Sequence, residues 1–531
     1  MEFNFADLFE SVVDAVPDRE ALVCGDRRLT YEQLDERATR LAHHLAGVGV
    51  EAGDHIGLYM YNGTEYVEAM LACFKIRAVP INVNYRYVEN ELRYLFDNAD
   101  LKGLIHQQEF CPRIAAVKDE LPLLKTFIVV EDSSGADYSV LGSVEYEKAL
   151  SGASPERDFG PRSSTDLFII YTGGTTGMPK GVVWRHEDLF FAGMGGGNPL
   201  GEPIAKPEEL APNAREKDVV VQFPVPPLIH GAAQLTVLIG FNWGGKIVLA
   251  PRFDPDGTWD LIEKEKVNTI MLVGDAIARP LADTLSATKD QRDVSSLFYI
   301  SSAGAVLSDP VKDQLKELLP NTIVAESFGA SETGFQGMES GSGRMRFVMN
   351  DRTTVLNDDL KPVEAGSGDI GRVAQKGRVP MGYYNDEEKS AETFVEADGD
   401  RWVLLGDMAM VEADGSITVL GRGTVCINSG GEKLFPEEIE NAVKSHPDVY
   451  DVVIVGIPDE RWGEKVAALI EVRPGATLTL ESIQEHCRKL IAGYKVPRAL
   501  RIVEKVERHP SGKPDYPWAK KVAAEETLEV T

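Results

Sequence analysis

The sequence predicts an α/β fold: a large N-terminal body of several subdomains, in which helices cover sheets, followed by a small C-terminal α+β domain. Two observations predict the body. The chain has 531 residues, about three to four times the usual length of one domain. Short apolar runs also alternate with helical stretches, which is typical of parallel sheets covered by helices. A change of pattern near residue 420 predicts the small domain.

The first long helix is predicted over residues 31–47. Thr30 and Gln33 form a capping-box pattern just before it. The apolar residues that follow at helical spacing form one buried stripe: Leu34, Ala38, Leu41, Ala42 and Leu45.

Strands of the body are predicted from short apolar runs bounded by polar or turn residues. These runs are His55–Tyr59, Gly103–His106, Thr126–Val130, Leu167–Ile170, Lys246–Leu249, Thr269–Val273 and Leu297–Ile300.

A glycine-flanked segment divides the chain into two predicted domains. The strand-like run Ser416–Leu420 leads into Gly421-Arg422-Gly423-Thr424, and a helix is predicted over Pro436–Ser445. This segment predicts a hinge, with residues 1–421 in the body and 422–531 in a domain of ordinary size. Further elements are predicted there: strands Val452–Val455, Val466–Val472 and Arg501–Val503, and a helix Leu480–Ile491.

Charge and composition exclude several classes of partner. The formal net charge of −29 disfavours nucleic acid and anionic membranes as partners. The five cysteines are widely separated and include no CxxC pair, which indicates neither a disulfide framework nor a zinc site. No stretch approaches the roughly 18 apolar residues of a membrane span. We therefore expect a cytoplasmic protein that is neither exported nor inserted in a membrane.

Residues 171–182 have the composition of a polyphosphate-binding loop. Glycines allow backbone N–H groups to approach an anion closely, while hydroxyls and a lysine add donors and charge. The residues that carry this prediction are Thr172, Gly173, Gly174, Thr175, Thr176, Gly177 and Lys180. Gly181 follows the lysine, so the loop is not a Walker loop. The alternative is a plain connector. An ATP-like ligand is negatively charged, as is the protein overall. We therefore expect bound magnesium, which lowers the charge of the ligand.

Taken with this loop, further segments resemble the adenylate-forming superfamily, which includes AMP-forming acyl-CoA synthetases, luciferases and the adenylation domains of peptide synthetases. The resemblance covers nearly the whole chain. Its ordered motifs are Tyr171–Val182, Ser301–Leu307, Ser327–Thr333, Gly406-Asp407, Gly421-Arg422 and Pro510–Lys513.

The resemblance implies the groups that bind ATP. Gly304 and Ala305 would let adenine lie against the backbone, although tight strand–helix packing is the alternative. Asp407 would accept hydrogen bonds from the ribose hydroxyls with Arg422 nearby, although aspartate is also common in turns. Gly329 is a further residue that the resemblance implies in ATP binding.

The same resemblance implies the groups around the phosphates. Glu332 would bind Mg²⁺, while Ser331 and Thr176 would donate hydrogen bonds to phosphate or acyl-phosphate oxygens. The family usually has Tyr and Thr where this chain has Phe328 and Ser331. Lys513 would reach into the cleft and bridge the carboxylate and the α-phosphate.

An acyl pocket and a thiol path are implied next. His230 would gate the approach of the thiol, although a core histidine is the alternative. The residues expected around the acyl group are His230, Gly231, Ala232, Ala233, Ala303, Gly304 and Gly334. Gly193 and Gly195–Gly197 would either leave room for a large acyl group or form a loop.

The resemblance implies two half-reactions that share one site. ATP and a carboxylic acid give an acyl-adenylate, and coenzyme A then takes the acyl group. Between them the mobile small domain would rotate and present Gly430, Gly431 and Lys433 to coenzyme A. The hinge position, commonly Asp or Lys in the family, is Thr424 here, and Val425 follows.

More closely, segments in both domains resemble actinobacterial acyl-CoA synthetases for steroid side chains and related terpenoid acids. They are Arg185–Asp188, Pro226–Gly231, Ile427–Lys433, Gly493–Arg498 and Gly512–Tyr516. A bulky apolar acid is therefore expected: a steroid side chain, a diterpenoid acid or a fatty acid. Alternatives are an enzyme that passes its adenylate to a separate protein, a catalytically silent nucleotide-binding protein, and a light-emitting enzyme. A homodimer is left open.

Overall fold

The computed structural model describes residues 1–531 except 174–177, 200, 341–344, 398, 430–431, 510–511, 526–528 and 531. Helices α1 to α16 of the described residues are Phe5–Ala15, Tyr31–Gly47, Thr64–Lys75, Glu89–Asn98, Cys111–Ala115, Tyr146–Ser151, His186–Gly193, Leu210–Glu216, Gly231–Asn242, Pro255–Glu265, Gly274–Thr288, Asp309–Leu318, Glu387–Thr393, Pro436–Lys444, Leu480–Cys487 and Tyr516–Glu525.

Strands β1 to β28 are Glu20–Cys24, Arg27–Thr30, His55–Tyr59, Val79–Asn82, Leu101–Gln107, Thr126–Val130, Val144–Glu145, Leu167–Thr172, Lys180–Arg185, Val221–Pro224, Lys246–Leu249, Thr269–Leu272, Tyr299–Ser302, Ile323–Ala330, Gly334–Glu339, Arg346–Met349, Thr353–Leu356, Gly371–Lys376, Gly382–Tyr383, Phe394–Ala397, Asp400–Val411, Ile417–Arg422, Ile427–Ser429, Glu432–Leu434, Val449–Asp459, Gly463–Val472, Ala499–Val503 and Glu529–Val530.

The described strands form three sheets. The largest has the order β17-β18-β21-β22-β16-β15-β14-β13-β12-β10-β11-β1-β2, with β20 paired to β21. The second has the order β19-β9-β8-β4-β3-β5-β6-β7. The third, in the small domain, has the order β24-β23-β26-β27-β28, with β25 paired to β26. The α/β class with a large body and a smaller C-terminal domain is thus confirmed.

Parallel pairing is concentrated at the centres of the two large sheets. Strands β11, β10, β12, β13 and β14 pair in parallel, as do β8, β4, β3, β5 and β6. Beyond β14 the largest sheet becomes antiparallel. Ligands of open parallel sheets bind at the carboxyl ends of the strands, so the ends of β8, β13 and β14 are where a site is expected.

A helical layer joins the two large sheets. One apolar cluster contains residues of α1, α2, α3 and α9 together with strand residues from both sheets, such as Ile56, Trp184 and Ile247, all fully buried. Helix α2 has the predicted bounds, and Thr30 and Gln33 make both hydrogen bonds of the capping box. Its predicted stripe is buried because it faces this layer.

Several predicted elements differ in length from those observed. The small-domain helix predicted over Leu480–Ile491 ends at Cys487, because the N–H groups of Lys489 and Leu490 bond to the carbonyls of His486 and Cys487, one residue nearer than in an α-helix. The predicted strand Leu297–Ile300 is shifted to Tyr299–Ser302, where it pairs in register with β12 and β14. Among the described residues, no helix is both long and apolar enough to cross a bilayer.

Candidate active site

The predicted phosphate loop connects two strands at the edge of the parallel core. Strand β8 ends at Thr172, which pairs in register with Lys180 at the start of β9. Gly173 follows Thr172 and is exposed. The centre of the loop, Gly174-Thr175-Thr176-Gly177, lies outside the described residues. Burial lowers the pKa of Lys180, whose Nζ lies 3.9 Å from Asp386 Oδ2.

Glu332 lies in the tight turn between β14 and β15, and two side chains fix that turn. The Tyr383 hydroxyl donates to Glu332 Oε1 at 2.9 Å, and Trp184 Nε1 donates to the Ser331 carbonyl oxygen at 2.8 Å. A carboxylate has about four lone-pair sites, so the bond from Tyr383 leaves Glu332 able to bind a cation. Mg²⁺ is usually bound by one or two carboxylates together with the phosphates of the substrate, so a single carboxylate is enough for such a site.

Glycine is required on both sides of this turn. A Cβ on Gly329 would lie 2.2 Å from the Gly334 carbonyl oxygen. Gly334 has φ +69°, and its Cβ would lie 2.6 Å from the carbonyl oxygen of Ala192 in α7. Gly334 therefore packs against α7, and its expected place in the acyl pocket stays a prediction. The ring of Phe328 packs on Phe347, with 5.3 Å between centroids.

The loop predicted to hold adenine follows β13 and has an open backbone. Gly304 has φ +84° and is exposed, and the neighbouring Ala303 N–H donates to the Leu272 carbonyl at 3.2 Å. Ala305 packs over the start of α11, because a Cβ on Gly274 would lie 2.9 Å from Ala305 Cβ. Exposed backbone without a side chain at Gly304 is suited to contact with a flat base.

Asp407 and Arg422 are paired across two neighbouring strands. They are opposite each other in the β21–β22 register, with 3.6 Å between Arg422 Nε and Asp407 Oδ1. Because the strands are antiparallel neighbours, residues 15 positions apart in the chain reach one surface.

Lys513 of the small domain faces this surface of the body. Burial lowers the pKa of Lys513, and the charge of Arg422 lowers it further, while the carboxylates of Glu332 and Asp407 act in the opposite direction. The structure therefore brings Lys513, Glu332, Asp407 and Arg422 into one electrostatic group, although they come from four separate motifs.

Close packing brings the lysine loop to the body. Gly512 has φ +75°, and a Cβ there would lie 3.2 Å from the Val273 carbonyl oxygen and 3.3 Å from Ala276 Cβ. The His509 N–H donates to the Lys513 carbonyl at 2.9 Å and closes the turn. A side chain here would crowd the body and adopt a strained backbone conformation, so glycine favours this close approach.

His230 is the N-cap residue of α9, next to the end of the phosphate strand. Asn82 joins the two segments: its Nδ2 donates to the carbonyl oxygens of Tyr171 at 2.8 Å and Ile229 at 2.7 Å. A Cβ on Gly231 would lie 3.0 Å from Ile170 Cδ1, so this glycine packs on β8. Ala232 follows in the first turn of α9 and is half-buried.

The glycines after α7 form a packed turn. Gly195, Gly196 and Gly197 all have positive φ. A Cβ on Gly196 would lie 2.6 Å from Pro203 Cβ, and one on Gly193 would lie 2.9 Å from Leu189 Cδ1. These contacts favour a loop over the alternative, which was room for a large acyl group.

The residues expected at the thiol path and hinge lie beyond β22. Thr424 is in a short 3₁₀ turn, Gly423–Val425, between the last strand of the large sheet and β23. Lys433 is exposed on β24, and Gly430 and Gly431 lie outside the described residues. The domain boundary at 421/422 and the roles of these residues stay predictions.

Sequence reasoning missed three residues that organise the site. Tyr383 and Trp184 each donate one hydrogen bond to a motif residue, and Asn82 makes two with Tyr171 and a third to Ile229. Each lies far from its partner in the chain, so no local pattern identifies it. At β19 the local sequence offers the aromatic pair Tyr383-Tyr384 after Gly382. This pair does not indicate that Tyr383 binds Glu332.

Comparison with known protein families identifies the family of the chain. A family model described as "AMP-binding enzyme" matches residues 9–384, and one described as "AMP-binding enzyme C-terminal domain" matches residues 438–513. The chain therefore belongs to the AMP-binding enzyme family. This confirms the adenylate-forming family predicted from the sequence and, with it, the acid–thiol ligase class.

Individual relatives match over nearly the whole chain. A medium/long-chain-fatty-acid–CoA/3-oxocholest-4-en-26-oate–CoA ligase of Mycolicibacterium smegmatis is 49% identical, over 99% of this chain and 97% of that protein. A 3-oxocholest-4-en-26-oate–CoA ligase of Rhodococcus rhodochrous is also 49% identical, over 98% and 96%. The crystal structure of the anthranilate CoA ligase AuaEII with anthranoyl-AMP shares the fold, with TM-score 0.84, 23% identity and 98% coverage of both chains.

Proposed function

We propose that the protein is an ATP-dependent, AMP-forming acyl-CoA ligase that activates an apolar carboxylic acid as its acyl-adenylate and transfers the acyl group to coenzyme A. One observation carries this proposal: Gly512, next to Lys513 in the small domain, packs against Val273 and Ala276 of the body, where Lys513 lies in the electrostatic field of Glu332, Asp407 and Arg422. This arrangement supports a role for a cation of the small domain at the predicted nucleotide surface of the body.

In the first half-reaction the substrate carboxylate attacks the α-phosphorus of ATP, and pyrophosphate leaves. Two anions must approach each other, so a fixed ammonium group between them offsets their repulsion. Lys513 provides that group. Asp407 accepts hydrogen bonds from the ribose, Arg422 lies beside it, and the strand ends at Thr172 and Lys180 hold the phosphate loop.

Glu332 is the residue that would hold Mg²⁺ together with the phosphates of ATP. Bound there, Mg²⁺ would supply charge neutralisation and Lewis-acid polarisation of phosphoryl oxygens. Tyr383 orients the Glu332 carboxylate toward that task through its hydrogen bond of 2.9 Å.

In the second half-reaction the thiol of coenzyme A attacks the acyl carbonyl, and AMP leaves with the former carboxylate oxygen. The small domain would turn about Gly423–Val425, withdraw Lys513 and present the segment Gly430–Lys433. His230, at the start of α9, would lie on the path of the thiol.

The relatives support a substrate class for this chain. Both are named for 3-oxocholest-4-en-26-oate, and one also for medium- and long-chain fatty acids. We therefore propose an acid with a large apolar body, either a fatty acid or a steroid side chain. The cytoplasmic location, the absence of a membrane anchor and the oligomeric state stay predictions.

A screen of carboxylic acids tests the function. The purified chain is mixed with ATP, Mg²⁺ and fatty, aryl, steroid or diterpenoid acids, with or without coenzyme A. We expect pyrophosphate release with an apolar acid and an acyl-CoA product identified by mass. Brisk pyrophosphate release without acyl-CoA would select the adenylation-only alternative, which Thr424 and Val425 at the hinge keep open. No release with any acid would favour a silent nucleotide-binding protein.

A further inference from the structure

The two domains are joined by a buried ion pair that none of the predicted motifs contains. Asp275 lies in the first turn of α11 in the body, and Lys444 ends α14 in the small domain. Lys444 Nζ lies 3.0 Å from Asp275 Oδ2, and both side chains are only 5% exposed. Removing one member of a buried pair is costly, because the other charge stays buried with less compensation.

On the body side, Asp275 also holds the predicted nucleotide loop. Its Oδ1 accepts a hydrogen bond of 2.8 Å from the N–H of Ser308, just after that loop. The Asp275 N–H donates to the Val306 carbonyl at 3.2 Å. One carboxylate thus links the wall of the nucleotide site to the small domain.

On the small-domain side, the contacts continue to the lysine loop. Lys444 Nζ lies 3.2 Å from Asp451 Oδ1. Arg508 donates to both oxygens of Asp451 at 2.7 Å, and its Nη1 donates to the Gly512 carbonyl at 3.1 Å. Gly512 directly precedes Lys513, so the chain of charged contacts runs from the nucleotide loop to the lysine.

The surroundings favour a specific role for this pair. Arg279, one turn along α11, lies 3.8 Å from the Asp275 carboxylate and covers the ring of Tyr450 in the small domain at 5.6 Å. A second cross-domain pair, Asp283 with Arg473, is different: it spans 3.9 Å, and both side chains are 36% exposed. An exposed pair is screened by solvent and contributes little.

We propose that Asp275 and Lys444 are positioning residues for adenylate formation: their ion pair latches the small domain in the orientation that presents Lys513 to ATP. The proposal rests on the proposed function. The two residues lie on different domains, so rotation of the small domain separates them. The pair therefore stabilises one orientation over the other, and the second half-reaction proceeds without it.

Separate measurements of the half-reactions test the latch. Lys444→Met removes the charge and keeps much of the length, while Asp275→Asn keeps an oxygen for the Ser308 N–H. In each variant we expect adenylate formation in single turnover to slow at least about ten-fold. Transfer from supplied acyl-adenylate to coenzyme A should stay within about two-fold of the unmodified enzyme.

Two controls separate positioning from general damage. Lys444→Arg keeps the cation and should recover most of the adenylation rate. Asp283→Asn breaks the exposed pair and should leave both half-reactions unchanged. Asp275→Asn also tests the latch if Lys444→Met does not fold.

The outcomes distinguish failure of the latch from failure of the function. Equal slowing of both half-reactions, or no slowing of the first in folded variants, overturns the latch while the ligase function stands. If the unmodified enzyme forms no adenylate with any acid, the function fails and the latch fails with it.

Discussion

Lys513 illustrates how a single residue acquires its role from surroundings that are remote in sequence. A lysine is ordinarily hydrated, and here burial and Arg422 both lower its pKa. Glu332 and Asp407 oppose that shift because their negative charge favours the ammonium form. The site thus holds a partly desolvated lysine between charges of both signs.

Substituting this lysine should separate the two half-reactions. In Lys513→Ala, adenylate formation should fall by at least about 10²–10³-fold, the magnitude of a lost electrostatic contact in a transition state. Transfer from supplied acyl-adenylate to coenzyme A should persist, since that step does not use the lysine. The measurement is pyrophosphate release beside acyl-CoA formation, and equal loss of both would contradict the division.

At the scale of elements, the turn between β14 and β15 depends on glycines for steric reasons. Strand β14 crosses from the parallel to the antiparallel part of the large sheet, and the turn after it carries Glu332. The backbone of this turn lies against α7, so the position of Glu332 depends on that close approach.

A matched pair of glycine substitutions tests this dependence. Gly334 and Gly415 both have positive φ, but only a Cβ on Gly334 meets the backbone of α7, whereas nothing lies within 4 Å at Gly415. Gly334→Ala should destabilise the protein by at least about 3 kcal/mol, and Gly415→Ala by about 1 kcal/mol. Thermal unfolding midpoints compare them, and equal losses would show that backbone strain alone matters.

Secondary structure was predicted well where one local signal dominates. Helix α2 and strands β3, β6 and β11 have the predicted bounds, because capping and short apolar runs specify them locally. The end of α15 was predicted too late, since the backbone turn at Cys487 outweighs a helical pattern that continues to Ile491.

At the scale of the whole molecule, a buried carboxylate lies at the junction of the two domains. Glu437, in the first turn of α14, accepts a hydrogen bond of 3.3 Å from the Arg422 N–H. Burial, together with the charges of Glu440 and Asp407, raises its pKa to about 8. Tyr516 and Cys426 also face it.

This carboxyl should make stability depend on pH. Its pKa in the folded protein lies above the ordinary value of 4.5, so the folded state binds the proton more tightly. The stabilisation that the protonated Glu437 contributes to the folded state is complete below about pH 4.5 and is lost as pH rises through about 8. Glu437→Gln imitates the neutral acid, so its thermal midpoint should fall less than that of the unmodified protein between about pH 6 and pH 9.

Comparing the thermal midpoints of the unmodified protein and Glu437→Gln removes the effect of other titrating groups, which both proteins share. Among these is Glu326, whose pKa burial raises to about 7. Parallel pH profiles for the two proteins would contradict the assignment to Glu437.

The sequence by itself determined the family, the α/β class and the identity of the motif residues, because the order and composition of the motifs are local properties of the chain. Only the tertiary structure decided which remote side chains serve them. Tyr383 on Glu332, Asn82 between two segments, and Lys444 on Asp275 each depend on where separate elements meet. These contacts arise from packing between strands and between domains, which no local pattern in the sequence records.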